Sequence, residues 1–416
     1  MTKNLRLLLN RSKRFLMAVI IGLASGILLD RQVLLRTNPP LGIPAEAREE
    51  FALMAEAWGH IERRYVNQDG VEPRSMAHSS IRGMVQTLDD FGHTRFLTPE
   101  MAQRHANQIQ GQFEGIGAYV EAEDGRVIIV APIDNSPAQR AGLEVGDVVV
   151  GVNGEDATQL SPGEVVNRIL GPAGTEVTLT ILDPDTGNTR EVTLERAELD
   201  IDLVTWARLP GTDVAHVRVS SFSDGATEEL RQTLDEIQAQ EVGGAILDLR
   251  SNPGGLLREA IGAASQFIES GDVLIRRDAQ GATETVPVKE DVDAVDMPLV
   301  VLINSGTASA AEIVTGALQD YDRATVVGTT TAGAGTVLNA FPLNDGSMLL
   351  LAVEEWLTPD GRQIWQKGLA PDETVSLPAD TTPLLRSSQR DLTEEALQKS
   401  GDTQLLRALE ILGGQQ

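Results

Sequence analysis

From about residue 213 onward, short apolar runs and amphipathic stretches take turns along the chain, and this alternation constrains the fold more than any other feature. The runs 214–219, 245–249, 273–275, 299–303 and 324–327 are built from Val, Ile, Leu and Ala and are too short for helices, so they read as strands. Between them, 228–240, 256–268 and 308–318 carry the pattern of helices. Strands that alternate with helices predict an α/β layer fold, because each helix must cover a sheet face. With aromatic residues at only 4%, such cores have to be filled by aliphatic side chains. A chain of 416 residues exceeds one ordinary core, so several domains are expected.

Ahead of this region the patterning changes twice. Residues 46–105 read as helical, with Phe51, Met54, Ala55, Trp58 and Ile61 on one face and a second amphipathic stretch at 75–88 that stops at Asp89-Asp90-Phe91-Gly92. Residues 111–196 read as β-rich. The runs 127–130, 148–152, 177–182 and 191–194 are separated by Asp-Gly, Asn-Gly and Thr-Gly turns.

A net charge of −27 argues against nucleic acid as a partner, since a phosphate backbone would be repelled. There are no cysteines, which removes disulfides, thiolate metal sites and a cysteine nucleophile. No histidine is spaced with carboxylates as a metal ligand set, so neither metal nor other cofactor is expected. The N-terminus departs from the acidity. Lys3, Arg6, Arg11, Lys13 and Arg14 precede an apolar run over 15–29 that is closed by Asp30 and Arg31. This reads as an uncleaved membrane anchor in preference to a cleaved signal peptide, over 1–36, with the bulk of the chain outside the cytoplasmic membrane. A Pro-containing tether follows at 37–45.

Two strand-to-helix turns carry the candidate chemistry. In the first, 302–314, a buried strand runs through Asn304-Ser305-Gly306-Thr307-Ala308-Ser309 into a helix. A serine there sits at a helix N-terminus, where free N–H groups favour developing negative charge. The same residues could instead serve only as helix caps. The second turn, Asp248-Leu249-Arg250-Ser251-Asn252-Pro253-Gly254-Gly255-Leu256, exposes backbone N–H groups at two glycines. If the turns meet, they supply an oxyanion hole from two directions.

These motifs carry two resemblances. Phe113-Glu114-Gly115-Ile116-Gly117-Ala118-Tyr119-Val120, Ser136-Pro137-Ala138, Ala141-Gly142-Leu143, Gly146-Asp147, Val152-Asn153-Gly154 and Gly171-Pro172-Ala173-Gly174-Thr175 together resemble a PDZ domain. That resemblance implies capture of a polypeptide C-terminal carboxylate by the backbone N–H groups of Gly115, Ile116, Gly117 and Ala118, while the tail adds to a sheet edge. Use of the module for internal packing or regulation alone stands as the alternative. With the two turns, and with Leu97-Thr98-Pro99-Glu100, Leu357-Thr358-Pro359-Asp360-Gly361 and Lys367-Gly368-Leu369-Ala370-Pro371-Asp372 in order, the chain resembles the carboxyl-terminal processing (tail-specific) serine peptidases over about 46–412.

The resemblance implies a multidomain α/β protein. It comprises a helical N-terminal segment (46–110), a PDZ domain (111–197), a crotonase-like α/β peptidase core (198–390) and a C-terminal helix (391–416). It places the nucleophile at Ser309 rather than Ser305, the oxyanion donors at the backbone of Ala310 and Gly255, and a structural role at Glu312. The family's general base is a lysine in a Thr-Phe-Gly-Lys-Gly-Thr/Ser-Val-Gln motif. Here the motif reads Thr331-Ala332-Gly333-Ala334-Gly335-Thr336-Val337-Leu338, with Ala334 at the lysine position and Leu338 at the glutamine position. Nothing in sequence assigns His60, His78, His93, His105, His216 or Lys367 as a substitute base. Two readings follow. One is an exported serine endopeptidase that selects substrates by their C-terminal tails, with membrane contact through the N-terminal segment and room for homo-oligomers. The other is an inactive, tethered PDZ adaptor.

Overall fold

The computed structural model describes residues 43–414 except 89, 91, 92, 124, 134, 135, 145, 161, 185, 200, 201, 379, 380, 382 and 385–391. The basic prefix, the apolar run and nearly all of the tether lie outside the described residues, as do Asp89, Phe91 and Gly92 of the turn after the second helix. No described helix is long and apolar enough to cross a membrane. The backbone divides into two units, 1–77 and 78–416. In the first, the face read from sequence forms the helix Arg48–Arg64, and none of its residues is buried.

The β-rich segment folds as an antiparallel sheet in the order Ala118–Glu123, Arg126–Pro132, Val148–Val152, Glu176–Leu182, Thr189–Glu195. Ile116, Ile129, Val149, Leu179 and Ile181 fill its core with Val165 and Ile169 from the helix Pro162–Ile169. The strand Ala118–Glu123 lies at the sheet edge, with one side of its ladder unpaired among the described residues. At the two ends of the module, Phe113–Gly115 pairs antiparallel with Ala197–Leu199 and ties them together.

The α/β core is a six-stranded sheet ordered Val204–Arg208, Val214–Val219, Gly244–Asp248, Leu299–Ile303, Thr325–Gly328, Glu373–Thr374; every pair is parallel except the first. Side-chain alternation explains why these strands are apolar throughout. Ala245, Leu247, Val301 and Ile303 pack with the helices Ala226–Ala239, Leu257–Ser265 and Ala310–Asp320. Ile246, Val300 and Leu302 pack on the other face against Leu405, Ala408 and Leu412 of the helix Thr403–Gly414. A parallel sheet covered on both faces needs apolar residues at consecutive positions.

A second, antiparallel sheet joins Arg95–Leu97, Asp272–Asp278, Thr283–Pro287, Thr336–Pro342 and the long strand Met348–Leu357. The reading of 46–105 as helical is corrected here. Three helices do form, Arg48–Arg64, Pro73–Gln86 and Pro99–Ile109, but Arg95–Leu97 is extended because it pairs with Met348, Leu349 and Leu350 far along the chain.

Candidate active site

Three loops leave the carboxyl ends of three adjacent parallel strands, Gly244–Asp248, Leu299–Ile303 and Thr325–Gly328, where open α/β sheets place their sites. Side chains and backbone stitch these loops together. The Thr307 hydroxyl donates to the Leu249 carbonyl at 2.8 Å, and Ala308 N–H donates to the Asn252 carbonyl at 2.9 Å. Asn304 Oδ1 accepts the N–H of Ser251 at 2.7 Å and of Gly306 at 3.0 Å. The third loop joins through Ala332 N–H, which donates to the Thr307 carbonyl at 3.0 Å. The two turns singled out in the sequence therefore meet.

Ser309 stands where the second loop becomes the helix Ala310–Asp320, half-buried, with φ 53 and ψ −118. This is the first corner of a type II′ turn, a conformation that costs a residue with a β-carbon on the order of 1–3 kcal/mol. Neighbouring Ser305 is exposed. Gly254 comes up against Ser309 and Ala310. Gly254 has φ 92, and a Cβ there would lie 2.7 Å from the Ala308 carbonyl oxygen and 2.8 Å from both Ala310 N and Ser309 Cβ. The Gly254 N–H is occupied by Asn252 Oδ1 at 2.8 Å, and Phe222 bonds the Gly254 carbonyl and Leu256 N–H on either side. Among the described residues, the N–H groups of Gly255 and Ala310 have no acceptor. Two backbone N–H groups without an acceptor thus belong to the turns that meet at Ser309, and such donors are what an oxyanion site requires.

Glu312 joins this turn to the loop that carries Thr331, Gly333 and Ala334. Its buried carboxylate accepts four hydrogen bonds: Ser309 N–H and Ala334 N–H at 2.8 Å on Oε2, Gly333 N–H at 2.8 Å on Oε1, and the Thr331 hydroxyl. Thr331 in turn accepts Leu369 N–H at 2.8 Å. Burial pushes the Glu312 carboxyl above its ordinary value, against the pull of those donors. Ala334 is therefore held one bridging oxygen from the Ser309 backbone, and its methyl group is buried. Leu338 lies half-buried in the strand Thr336–Pro342, next to a register shift.

The glycine turn of the β-rich module is held through its carbonyls. The Ile116 carbonyl accepts Ala138 N–H at 2.7 Å, and the Gly117 carbonyl accepts Ile133 N–H and the Ser136 hydroxyl, each at 2.8 Å. With the carbonyls turned inward, the N–H groups of Ile116 and Gly117 have no acceptor among the described residues. Gly117 has φ 75, and a Cβ would come 2.3 Å from Ser136 Cβ. Gly115 precedes this turn at the end of one strand, and Ala118 follows it as the first residue of the edge strand.

Comparison with known proteins agrees with both parts. Residues 213–375 match the family model "Peptidase family S41", and residues 128–183 match that of a PDZ domain. The chain is 34% identical over 329 residues to the carboxy-terminal processing protease CtpA of Bacillus subtilis (strain 168), covering 79% of this chain and 70% of that one. It is 36% identical over 363 residues to the carboxyl-terminal-processing protease of Synechocystis, covering 86% and 81%. This chain belongs to the carboxyl-terminal processing serine proteases of peptidase family S41. Among solved structures, the photosystem II D1 C-terminal processing protease is similar, with a TM-score of 0.55 at 30% identity over 80% of this chain and 95% of that one.

In this carboxyl-terminal processing protease the remaining basic side chains are distributed unevenly. His216 is buried, with Nε2 2.9 Å from Asp248 Oδ2, inside an ionic network below the second turn. Arg250, fully buried, spans that network from Asp248 (2.6 Å) to Asp402 (2.9 Å). His78 bonds Asp345 at 2.7 Å, and His60 is exposed near Glu56. Burial, followed by Arg95, lowers the pKa of His105. Lys367 is exposed, although its neighbour Gln366 donates to the Gly333 carbonyl at 2.9 Å. His93 is different: Nδ1 lies 3.4 Å from Thr336 Oγ1, beside the degenerate motif. Sequence gave no signal for that contact, nor for the four-donor role of Glu312 or the close approach of Gly254. Among the described residues no cluster of His, Asp or Glu is placed to hold a metal ion.

Proposed function

We propose that this protease is an exported endopeptidase that selects polypeptides by their C-terminal tails and cleaves them through Ser309, without the family's lysine. The observation that carries this reading is the strained Ser309 turn packed against Gly254, with the N–H groups of Ala310 and Gly255 lacking an acceptor among the described residues. Ser309 Oγ attacks the scissile carbonyl, and the two N–H groups hold the oxyanion. The PDZ turn at Gly115, Ile116, Gly117 and Ala118 takes the carboxylate of the tail, and the tail extends the edge strand Ala118–Glu123. The basic prefix and apolar run support delivery across the cytoplasmic membrane.

Ala334 places no amine near the serine. An oxyanion hole with substrate binding still leaves roughly 10³–10⁴ of rate over water, and a positioned base adds about 10²–10⁴ more. The buried methyl of Ala334 also favours a second reading, a tail-binding adaptor without turnover. Cleavage of an unfolded substrate with a free C-terminal tail, compared between wild type and Ser309→Ala, separates them. Loss of cleavage in the variant supports the peptidase; equal rates leave the adaptor.

A further inference from the structure

Ala334 leaves open which group accepts the Ser309 proton, and the strands around it supply a candidate. His93 and Thr336 are 243 positions apart in sequence, yet His93 Nδ1 sits 3.4 Å from Thr336 Oγ1. Thr336 is two residues from Ala334, and its N–H donates to the Ala334 carbonyl at 2.7 Å. The Ala334 N–H in turn shares Glu312 Oε2 with the Ser309 N–H. On the neighbouring strand Thr336 is paired directly opposite Glu355. Glu355 Oε2 binds Arg277, while Oε1 is buried and has no hydrogen-bond partner. A histidine, a buried hydroxyl and an unsatisfied carboxylate oxygen are therefore gathered next to the position that lacks its lysine.

We propose that His93 is the proton acceptor for Ser309, held in place by Thr336 with Glu355 behind it. This rests on the peptidase reading above. With Nδ1–H donating to Thr336, Nε2 is left as the basic atom. The Ser309 O–H proton passes to Nε2 as the bond from Oγ to the scissile carbonyl carbon forms. The imidazolium returns it to the leaving nitrogen as the C–N bond breaks. Water then repeats the exchange on the acyl-enzyme, releasing a carboxylate product and restoring Ser309. Among the charged groups around the ring, Asp90 favours its protonation and Arg95 opposes it, with the Arg277–Glu355 pair on the adjoining strands. Burial, with Arg95 acting in the same direction, outweighs Asp90 and lowers the imidazole below its ordinary value of 6.5, so the ring is neutral and able to accept a proton.

The test is kcat/KM across pH 5–9 for the full chain on an unfolded protein substrate with a free C-terminus. Wild type, Ser309→Ala, His93→Asn, and His93→Asn combined with Ala334→Lys and Leu338→Gln are compared. The wild-type rate should rise through a midpoint below 6.5 and then level off. His93→Asn should lose roughly 100-fold or more in kcat with little change in KM, and should lose that pH limb. Adding the lysine and glutamine should restore cleavage with a limb at higher pH, which also shows that His93→Asn folds. A Ser309-dependent rate that His93→Asn leaves intact would overturn the proposal while the peptidase stands. Wild type indistinguishable from Ser309→Ala would overturn both.

Discussion

The buried carboxylate of Glu312 accepts the backbone N–H of Ser309 at 2.8 Å, so the residue in the first turn of the helix fixes the conformation of the serine that opens it. The same oxygen takes Ala334 N–H, and the other takes Gly333 and Thr331. An amide at this position has one acceptor oxygen and would turn its NH₂ toward N–H donors. Glu312→Gln is therefore expected to lose about 3 kcal/mol of stability, the scale for orphaned donors around a lost buried charge. A urea midpoint unchanged from wild type would show that these bonds do not hold the turn.

Gly254 tests the geometry of the oxyanion donors. Its hypothetical Cβ meets backbone atoms of Ala308 and Ala310 at 2.7 and 2.8 Å, and backbone cannot swing away as a side chain can. Gly254→Ala should push Gly255 N–H off the site and lower Ser309-dependent cleavage by roughly 10²–10³, the effect of removing one oxyanion donor. A variant that cleaves at the wild-type rate would place the oxyanion elsewhere.

Tail capture is separable from cleavage. If the free N–H groups of Ile116 and Gly117 hold a carboxylate, a labelled peptide with an amidated C-terminus should bind at least about tenfold more weakly than the free acid, or about 1.4 kcal/mol. Equal affinities would contradict carboxylate recognition at this turn.

Acid should loosen the core below the site. Burial pushes Asp248 upward, but Arg250, His216 and Arg218 together hold it well below its ordinary 3.8. A carboxylate depressed in the folded state contributes stability above its unfolded pKa and loses it as pH falls from there toward the folded value. The urea midpoint should therefore drop as pH falls below about 4, and Asp248→Asn, already destabilised, should drop by less. Parallel pH dependence in the two proteins would remove Asp248 from this role.

What could be read from sequence was what local pattern controls. The strands Val148–Val152, Val214–Val219 and Leu299–Ile303 fall at the bounds that apolar periodicity predicts. The PDZ module announces itself by turns that only a few residue types accept. That the two turns could meet was legible; the way the third loop closes onto them was not. Glu312 looks like an ordinary helix residue until Thr331, Gly333 and Ala334 fold back onto it. His93 lies in a stretch with helical patterning, and its contact with Thr336 depends on Arg95–Leu97 pairing with Met348–Leu350, a choice made by tertiary structure. Sequence pointed to Gly255 as a donor; the close approach that brings the turn to Ser309 belongs to Gly254.

The most direct test of a serine acyl-transfer site is covalent labelling. A fluorophosphonate probe loses fluoride to an attacking serine and leaves a phosphonyl adduct that intact-mass and peptide analysis can place. The account predicts one adduct per chain, on Ser309, formed more slowly in Gly254→Ala and absent in Ser309→Ala. No adduct at all, or an adduct on Ser305 in place of Ser309, would contradict it.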